Sequence, residues 1–480
     1  MAESLKGKTI NGMKWSAIER FSSQGIQFVI QIFLARLLLP SDYGVIAMLT
    51  IFIAITQSFI DSGFLNALIR KLDRNEDDYT TTFIFNILVG IAFYCLLYFT
   101  SPLIASFYKT PILLPITKFI AIGLLLDSFT IVHQAILTIR IDFKTQTYVS
   151  FTSTIISGLI AIYLAYKGLG AWALAWQIVI NSALKLILFW AIVRWWPRGR
   201  FSKKSFASLF GFGSKLLLSG LIDTIYQNIY LIVIGKYFSS KSLGFYSRAK
   251  EFSRYPSSSL TSIIQRVTYP VLSEMQEDDE KLKANYRKLL KMSAFIIFPL
   301  MVGLSAAADP LIRCLLTDKW ADSVILLQIL CFSMMWYPIH SINLNLLKVK
   351  GRSDLFLKLE IYKKIFITLV LLVSLRFGVI AMCIGQIITS LFSLFVNTYY
   401  TGKLIKVGFL QQMKDMLPTL IICTIMYNVI MLMNGFIEAD FIKLILDIIV
   451  GAVIYIGLSF LNKSPELKEL ISIVFKKTSF

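Results

Sequence analysis

Arg20, Gln24, Gln27 and Gln31 follow the spacing i, i+4, i+7, i+11, which stacks cationic and hydrogen-bonding groups on one face of a helix. Arg254, Ser258, Thr261 and Gln265 repeat that spacing, with Ser262 and Arg266 beside them. Lys215, Ser219, Asp223, Gln227 and Tyr230 fall within about a third of another helix's circumference, and Thr50, Gln57, Ser58 and Asp61 lie along a fourth helix. Guanidinium and ammonium groups suit phosphate, while amides and hydroxyls suit ligands rich in hydroxyls. The setting makes these groups unusual, because each stripe is embedded in a long apolar run.

The apolar runs dominate the chain. Of 480 residues, 56% are hydrophobic and 16% charged, and mean hydropathy is +0.70, well above what the cores of a soluble protein require. A membrane span takes roughly 20 mostly apolar residues, because the hydrocarbon layer is about 30 Å thick. Stretches bounded by Pro, Gly and charge predict helices near 12–38, 45–69, 82–103, 113–137, 148–166, 171–193, 207–235, 246–271, 289–311, 323–347, 359–375, 379–400, 417–434 and 441–461. The expectation is an all-α, polytopic membrane protein of about fourteen transmembrane helices. Its seventh, eighth and tenth spans are the least hydrophobic. The basic, polar start at 1–14 leads into a span interrupted by Glu19 and Arg20, which reads as a retained first helix rather than a signal peptide.

A charge at the bilayer centre costs at least about 2.5–3.5 kcal/mol on insertion scales, so the stripe residues should face an aqueous cavity or each other. Gln, Ser and Thr can equally serve to join helices. Arg20 and Arg254 lie well inside their spans and favour the cavity, whereas Arg266, Lys118 and Lys215 lie nearer the ends, where side chains snorkel to the interface. Lys185 lies deeper and can pair with Asp127. Asp61 and Asp223 read either as carboxylates coupled to H+ or Na+ or as structural partners of Arg and Lys. Pro256, Pro299 and Pro338 fall inside spans and should bend them. The five cysteines show no CxxC spacing and only His133 and His340 offer imidazole, which argues against a zinc or disulfide framework and against any cofactor beyond a coupling ion. The net charge of +20 raises nucleic acid as a partner, but no domain remains outside the membrane to read it.

If the amino terminus is cytoplasmic, the inward segments 1–14, 70–80, 138–147, 194–206, 273–291, 348–358, 401–416 and 462–480 hold most of the Lys and Arg. That asymmetry places both termini inside and favours an even number of spans. The longest loops are cytoplasmic: 194–206, with Arg194, Trp195, Trp196, Arg198, Arg200, Lys203 and Lys204, and 273–291, with the acidic run 277–280. Neither can house a catalytic domain. Their charge runs read as solvated faces and headgroup anchors, with Trp195 and Trp196 suited to the membrane interface. The expected organisation is an N-terminal lobe of six spans at 1–193, a linker at 194–206, a second lobe of six spans at 207–400, and two further spans with a cytoplasmic tail at 401–480. A shift of 200 residues aligns Gln27 with Gln227, Arg36 with Lys236, Gly44 with Gly244 and Phe52 with Phe252. Repeats of six spans each are parallel, related by an axis along the membrane normal.

Several phrases recur in order: Lys14 and Trp15 at the opening, 38–44 with Leu38, Pro40, Asp42, Tyr43 and Gly44 after the first helix, 243–249 with Leu243, Gly244, Tyr246 and Ala249 after the seventh, and Asp318, Lys319, Trp320 and Ala321 after the ninth. On these the chain resembles, over essentially its whole length, the oligosaccharide and polysaccharide flippases of the multidrug, oligosaccharidyl-lipid and polysaccharide exporter superfamily. The resemblance implies two six-helix lobes around a cationic cavity. It also implies a substrate: a sugar repeat unit on a polyprenyl diphosphate, turned from the cytoplasmic to the periplasmic leaflet of a bacterial inner membrane for O-antigen, capsule or exopolysaccharide synthesis, with polysaccharide polymerase machinery as a possible partner. A cation-coupled drug exporter of the same superfamily should prefer acidic groups, against the excess of Arg and Lys. A membrane glycan polymerase or ligase should expose a long outer loop, and the outer loops here are short.

The topology is testable. Reporters fused after Lys204, Asp279, Lys350 and Lys477 should read cytoplasmic, and those after Lys109, Lys319 and Asn434 periplasmic. A periplasmic reading at Lys477 with a cytoplasmic one at Lys204 would mean an odd number of spans in the second half.

Overall fold

The computed structural model describes residues 24–61 and 63–476, which are almost entirely helical, with no strand among the described residues. In order these are α1 (Gln24–Leu37), α2 (Pro40–Asp61), α3 (Phe64–Arg70), α4 (Glu76–Phe107), α5 (Leu113–Ser128), α6 (Ile131–Ile139), α7 (Phe143–Tyr166), α8 (Ala171–Val193), α9 (Lys203–Tyr237) and α10 (Ser240–Glu274). There follow α11 (Asp279–Ala306), α12 (Ala308–Leu316), α13 (Ser323–Met334), α14 (Tyr337–Val349), α15 (Ser353–Ser374), α16 (Val379–Ile405), α17 (Phe409–Asn434), α18 (Asp440–Leu461) and α19 (Pro465–Lys476). Polar side chains cap the starts of α4, α7, α9 and α11. Asn75 and Asp78 form a reciprocal capping box at α4, and Asp142, Ser202 and Asp278 accept the amides of Thr145, Ser205 and Lys281 at α7, α9 and α11.

The chain is a multi-pass membrane protein. Among the described residues, ten segments are long and apolar enough to cross a bilayer: α2 with α3, α4, α5 with α6, α7, α8, α11, α13 with α14, α16, α17 and α18. The other four expected spans fall on α1, which is apolar but short over its described residues, and on α9, α10 and α15, which are helical but are not among the segments that meet that standard. Pro256 lies within α10 together with Pro270, and Pro299 lies within α11. Pro338 stands in the first turn of α14, just after the break that follows α13. Its missing amide costs nothing there, so it marks a helix start inside the span.

The chain divides into two compact units, Met1–Gly244 and Phe245–Phe480. In the first, α4 and α8 pack on α5, α7 packs on α8, and α9 lies along α2 and α3. Phe64, Ala67 and Leu209 form a buried cluster with Phe85 and Phe206 against it. The 194–206 segment belongs wholly to this unit.

In the second unit α11 packs on α13 and α17, and α16 on α13 and α15. A buried polar network ties four of its helices. The Tyr286 hydroxyl donates to Asn343 Oδ1 at 2.7 Å. Gln412 Nε2 reaches Tyr286 Oη at 3.0 Å and Thr401 Oγ1 at 3.0 Å, while Asn343 Nδ2 donates to Gln412 Oε1 at 3.2 Å. Beside it Arg287 grips Asp415 through two 2.7 Å bonds, a fork-on-fork pairing that fixes α17 to α11. Nothing in the sequence singles out these residues as a group, because each stands alone in its own apolar run. Replacing Gln412 by Leu leaves the Tyr286, Asn343 and Thr401 groups short of a partner and should cost about 1–3 kcal/mol. A lowered Tm of the purified protein is the readout, and the loss should shrink when Tyr286→Phe is added.

Candidate functional site

The first unit holds most of the polar groups singled out from sequence. Arg20 lies outside the described residues. Gln24, Gln27 and Gln31 are half-buried on α1, and Gln31 Nε2 donates to Gln177 Oε1 of α8 at 3.4 Å. The Tyr43 hydroxyl donates to the Gln31 carbonyl at 3.3 Å, joining α2 to α1. On α2, Gln57 Nε2 donates to Asp61 Oδ1 at 3.2 Å. The Asp61 carboxylate is within electrostatic reach of Asp127, which lies against Ser182 and Lys185. Asp223 and Gln227 are exposed on α9 and Tyr230 is buried there, with Lys215 on the same helix.

The α2–α9 seam is closed by small groups. At mid-depth Ser58 Oγ meets Thr224 Oγ1 at 3.3 Å. Toward one end Gly63 lies against the backbone of Gly213. At the other end the first turns of α2 and α10 interlock reciprocally. A Cβ on Gly44 would fall 1.8 Å from the Ser240 carbonyl oxygen, and one on Gly244 would fall 1.8 Å from the Pro40 carbonyl oxygen. Only glycine permits two helix backbones to approach so closely. Asp42 stiffens this end, since its carboxylate accepts the amides of Leu39 at 2.9 Å and Ala171 at 3.1 Å, linking α2 to the start of α8. Nearby, Lys236 Nζ donates to the Phe107 carbonyl at 2.6 Å and sits 4.1 Å above the Phe107 ring. The sequence aligns Gly44 with Gly244 but does not reveal that Gly44 packs on Ser240 and Gly244 on Pro40, because those contacts are between backbones.

In the second unit, the α10 stripe straddles two environments. Ser253, Ser257, Thr261 and Thr268 are buried. The Ser257 hydroxyl donates to the Met334 carbonyl at 2.7 Å, and Asn345 Nδ2 donates to Thr268 Oγ1 at 3.2 Å. The Thr261 hydroxyl is spent on the Ser257 carbonyl of its own helix at 2.7 Å. Gln265 reaches the Ser341 hydroxyl of α14. Ser258 is half-buried, while Arg254 and Arg266 are exposed. One edge of the stripe therefore joins helices and the other edge carries the cations.

With this geometry in place, comparison with known proteins is decisive on kinship. Residues 33–325, more than half of the chain, match a family described as polysaccharide biosynthesis protein. The chain belongs to that family. Among relatives, it is 28% identical over 356 residues to the teichuronic acid biosynthesis protein TuaB of Bacillus subtilis, covering 73% of each chain. It is 27% identical over 404 residues to the lipopolysaccharide biosynthesis protein WzxC of Escherichia coli, covering 82% of this chain and 81% of that one. It is 23% identical over 334 residues to the succinoglycan biosynthesis transport protein ExoT of Rhizobium meliloti, covering 69% and 68%. In fold it is similar to the lipid II flippase MurJ in an inward closed conformation, with a TM-score of 0.74 at 16% identity over 97% of this chain and 99% of that one. An inward-facing multidrug resistance transporter of the MATE family superposes less well, with a TM-score of 0.60 at 13% identity over 80% and 96%.

The interlocked glycines give this polysaccharide biosynthesis family member a sharp test. A valine at Gly44 or Gly244 must force the two backbones apart, at about 1–3 kcal/mol for overpacking. Cysteines paired across 40–44 and 240–244 should crosslink in the otherwise unchanged protein and lose most of that yield when valine replaces either glycine.

Proposed function

We propose that this protein is a flippase that carries a polyprenyl-diphosphate-linked oligosaccharide repeat unit from the cytoplasmic to the periplasmic leaflet by alternating access, a transporter and not an enzyme. Family membership carries the reading: relatives spanning up to four-fifths of the chain are named for teichuronic acid, lipopolysaccharide and succinoglycan biosynthesis, one of them as a transport protein. The chemistry of the polar residues supports it. A diphosphate calls for cations, which Arg20 and Arg254 each supply from within a span, with Lys215 and Arg266 nearer the ends. The glycan calls for the amides and hydroxyls of Gln24, Gln27, Gln31, Gln227, Ser258 and Gln265, whereas Thr261, buried with its hydroxyl on the Ser257 carbonyl, is taken up by the fold. The lipid tail can remain in the bilayer.

In this reading the protein sits in the bacterial inner membrane with both termini cytoplasmic, as the bias of Lys and Arg suggests. The Gly44–Gly244 interlock then lies at the periplasmic end and acts as the outer closure. Asp61, held by Gln57, and Asp223 are the candidates for coupling to H+ or Na+. The polymerase that consumes the flipped unit is the natural partner.

Surface polysaccharide in cells carrying Arg20→Ala or Arg254→Ala tests the reading. Each variant should abolish export at normal membrane abundance, and Lys at either position should restore it only in part, because an ammonium lacks the guanidinium fork. Normal polysaccharide in the double alanine variant would remove both arginines from substrate binding. Loss of drug resistance with intact polysaccharide would favour a drug exporter instead.

A further inference from the structure

The segment after α8 is built as a strap. Arg194 adopts a left-handed conformation, with φ 50, at the end of the span and turns the chain across the start of α4. Three backbone amides then seat the chain on the first turns of α4: Gly199 N donates to Thr80 Oγ1 at 3.1 Å, Arg200 N to Asp77 Oδ1 at 2.8 Å, and Ser202 N to Thr81 Oγ1 at 2.9 Å. A Cβ on Gly199 would meet the Glu76 backbone at 2.7 Å, so the seat admits only glycine.

Extended backbone sends alternate side chains to opposite faces, with about 7 Å between like-facing residues. Trp195, Pro197 and Gly199 accordingly face inward and are partly buried, while Arg194, Trp196, Arg198 and Arg200 are exposed. Trp195 turns toward the protein and is half-buried. Its indole packs among Tyr79, Phe83 and His133 and donates to Glu76 Oε2 at 3.2 Å. Trp196 is 61% exposed and stands edge-on against Trp190 at 4.7 Å. The acids beneath the strap are already engaged: Glu76 by Trp195, Asp77 by the Arg200 amide, and Asp78 by Lys71 at 2.7 Å. The outward row of three guanidiniums and one indole follows a membrane span directly, which sets it at the lipid–water interface.

We propose that this strap is a binding surface for anionic phospholipid, with Arg194, Arg198 and Arg200 on the headgroup phosphates and Trp196 at the level of the acyl–headgroup boundary. Arginine forks match phosphate oxygens, and an indole prefers that depth. The alternation that exposes the row depends on the Gly199 seat, and the surface serves as an anchor whatever the protein translocates.

Native mass spectrometry of the full-length protein, released from micelles containing equal phosphatidylglycerol and phosphatidylcholine, provides the test. The unmodified protein should retain phosphatidylglycerol in preference to phosphatidylcholine. The triple variant R194Q/R198Q/R200Q should reduce that retention by about tenfold or more, as the loss of three interfacial cations requires. Gly199→Val keeps every charge but unseats the strap, and it should also lose the preference. Equal retention of the two lipids, or an unchanged preference in either variant at undiminished Tm, would overturn the proposal. So would displacement of the bound phosphatidylglycerol by farnesyl diphosphate, which would make the row a collecting site for the isoprenoid substrate.

Discussion

Hydrocarbon offers no hydrogen bond, and this single deficit governs the molecule. Every backbone amide in a span must find its partner within the chain, so each spanning segment is helical, and irregular backbone survives only where the protein itself supplies partners. The breaks between α5 and α6 and between α13 and α14 show how. The Thr130 amide turns to the Asp127 carbonyl at 2.9 Å and the Met335 amide to the Cys331 carbonyl at 3.0 Å, so neither interruption leaves its donor unpaired. The same accounting sorts the side chains. Thr147, Thr261, Thr368 and Thr398 return their hydroxyls to a carbonyl four residues back and so cease to be available to a ligand.

That sorting separates polar residues that hold the fold from those that remain for function. Tyr286, Asn343, Thr401 and Gln412 satisfy one another completely in the interior of the second unit, which makes them a fastening between helices. Gln31, half-buried on α1, and Gln177, buried on α8, are joined by a longer bond of 3.4 Å, weaker than those of the network. The two arrangements use the same residue types. Bond length and the number of helices joined distinguish them, and neither property is written in the spacing of the residues.

The periodic features were legible in the sequence for that reason, and the pairwise ones were not. Apolar runs of about 20 residues lead to ten spans long and apolar enough to cross, and polar residues before α4, α7, α9 and α11 mark caps. The 200-residue shift pairs Gly44 with Gly244 because both open helices of the same kind. Their contacts with the Ser240 and Pro40 carbonyls were hidden, since each lies between a glycine and the backbone of another segment, with no side chain to betray it. Trp195 and Trp196 read alike in the sequence, whereas an extended chain sends them to opposite faces. The stripe on α10 read as one face at 3.6 residues per turn, yet its residues span the boundary between a packed side and an open one.

That boundary bears on what α10 can touch. The helix carries Arg248, Lys250, Glu251, Arg254 and Arg266 and falls short of the apolar standard met by ten other segments. Glu251 lies against Arg248 and accepts the Tyr255 hydroxyl at 2.8 Å, so one acid is shared among several donors. At about 2.5–3.5 kcal/mol for each charge at mid-bilayer, turning Arg254 and Arg266 into acyl chains would cost more than the helix recovers by burying its few apolar residues in lipid. The exposed side bearing Arg254 and Arg266 must therefore meet water or an anion rather than acyl chains. A helix of this composition is stable in the membrane only if the protein keeps a hydrated surface beside it, and an anionic group reaching that surface would replace its water and gain the guanidinium contacts.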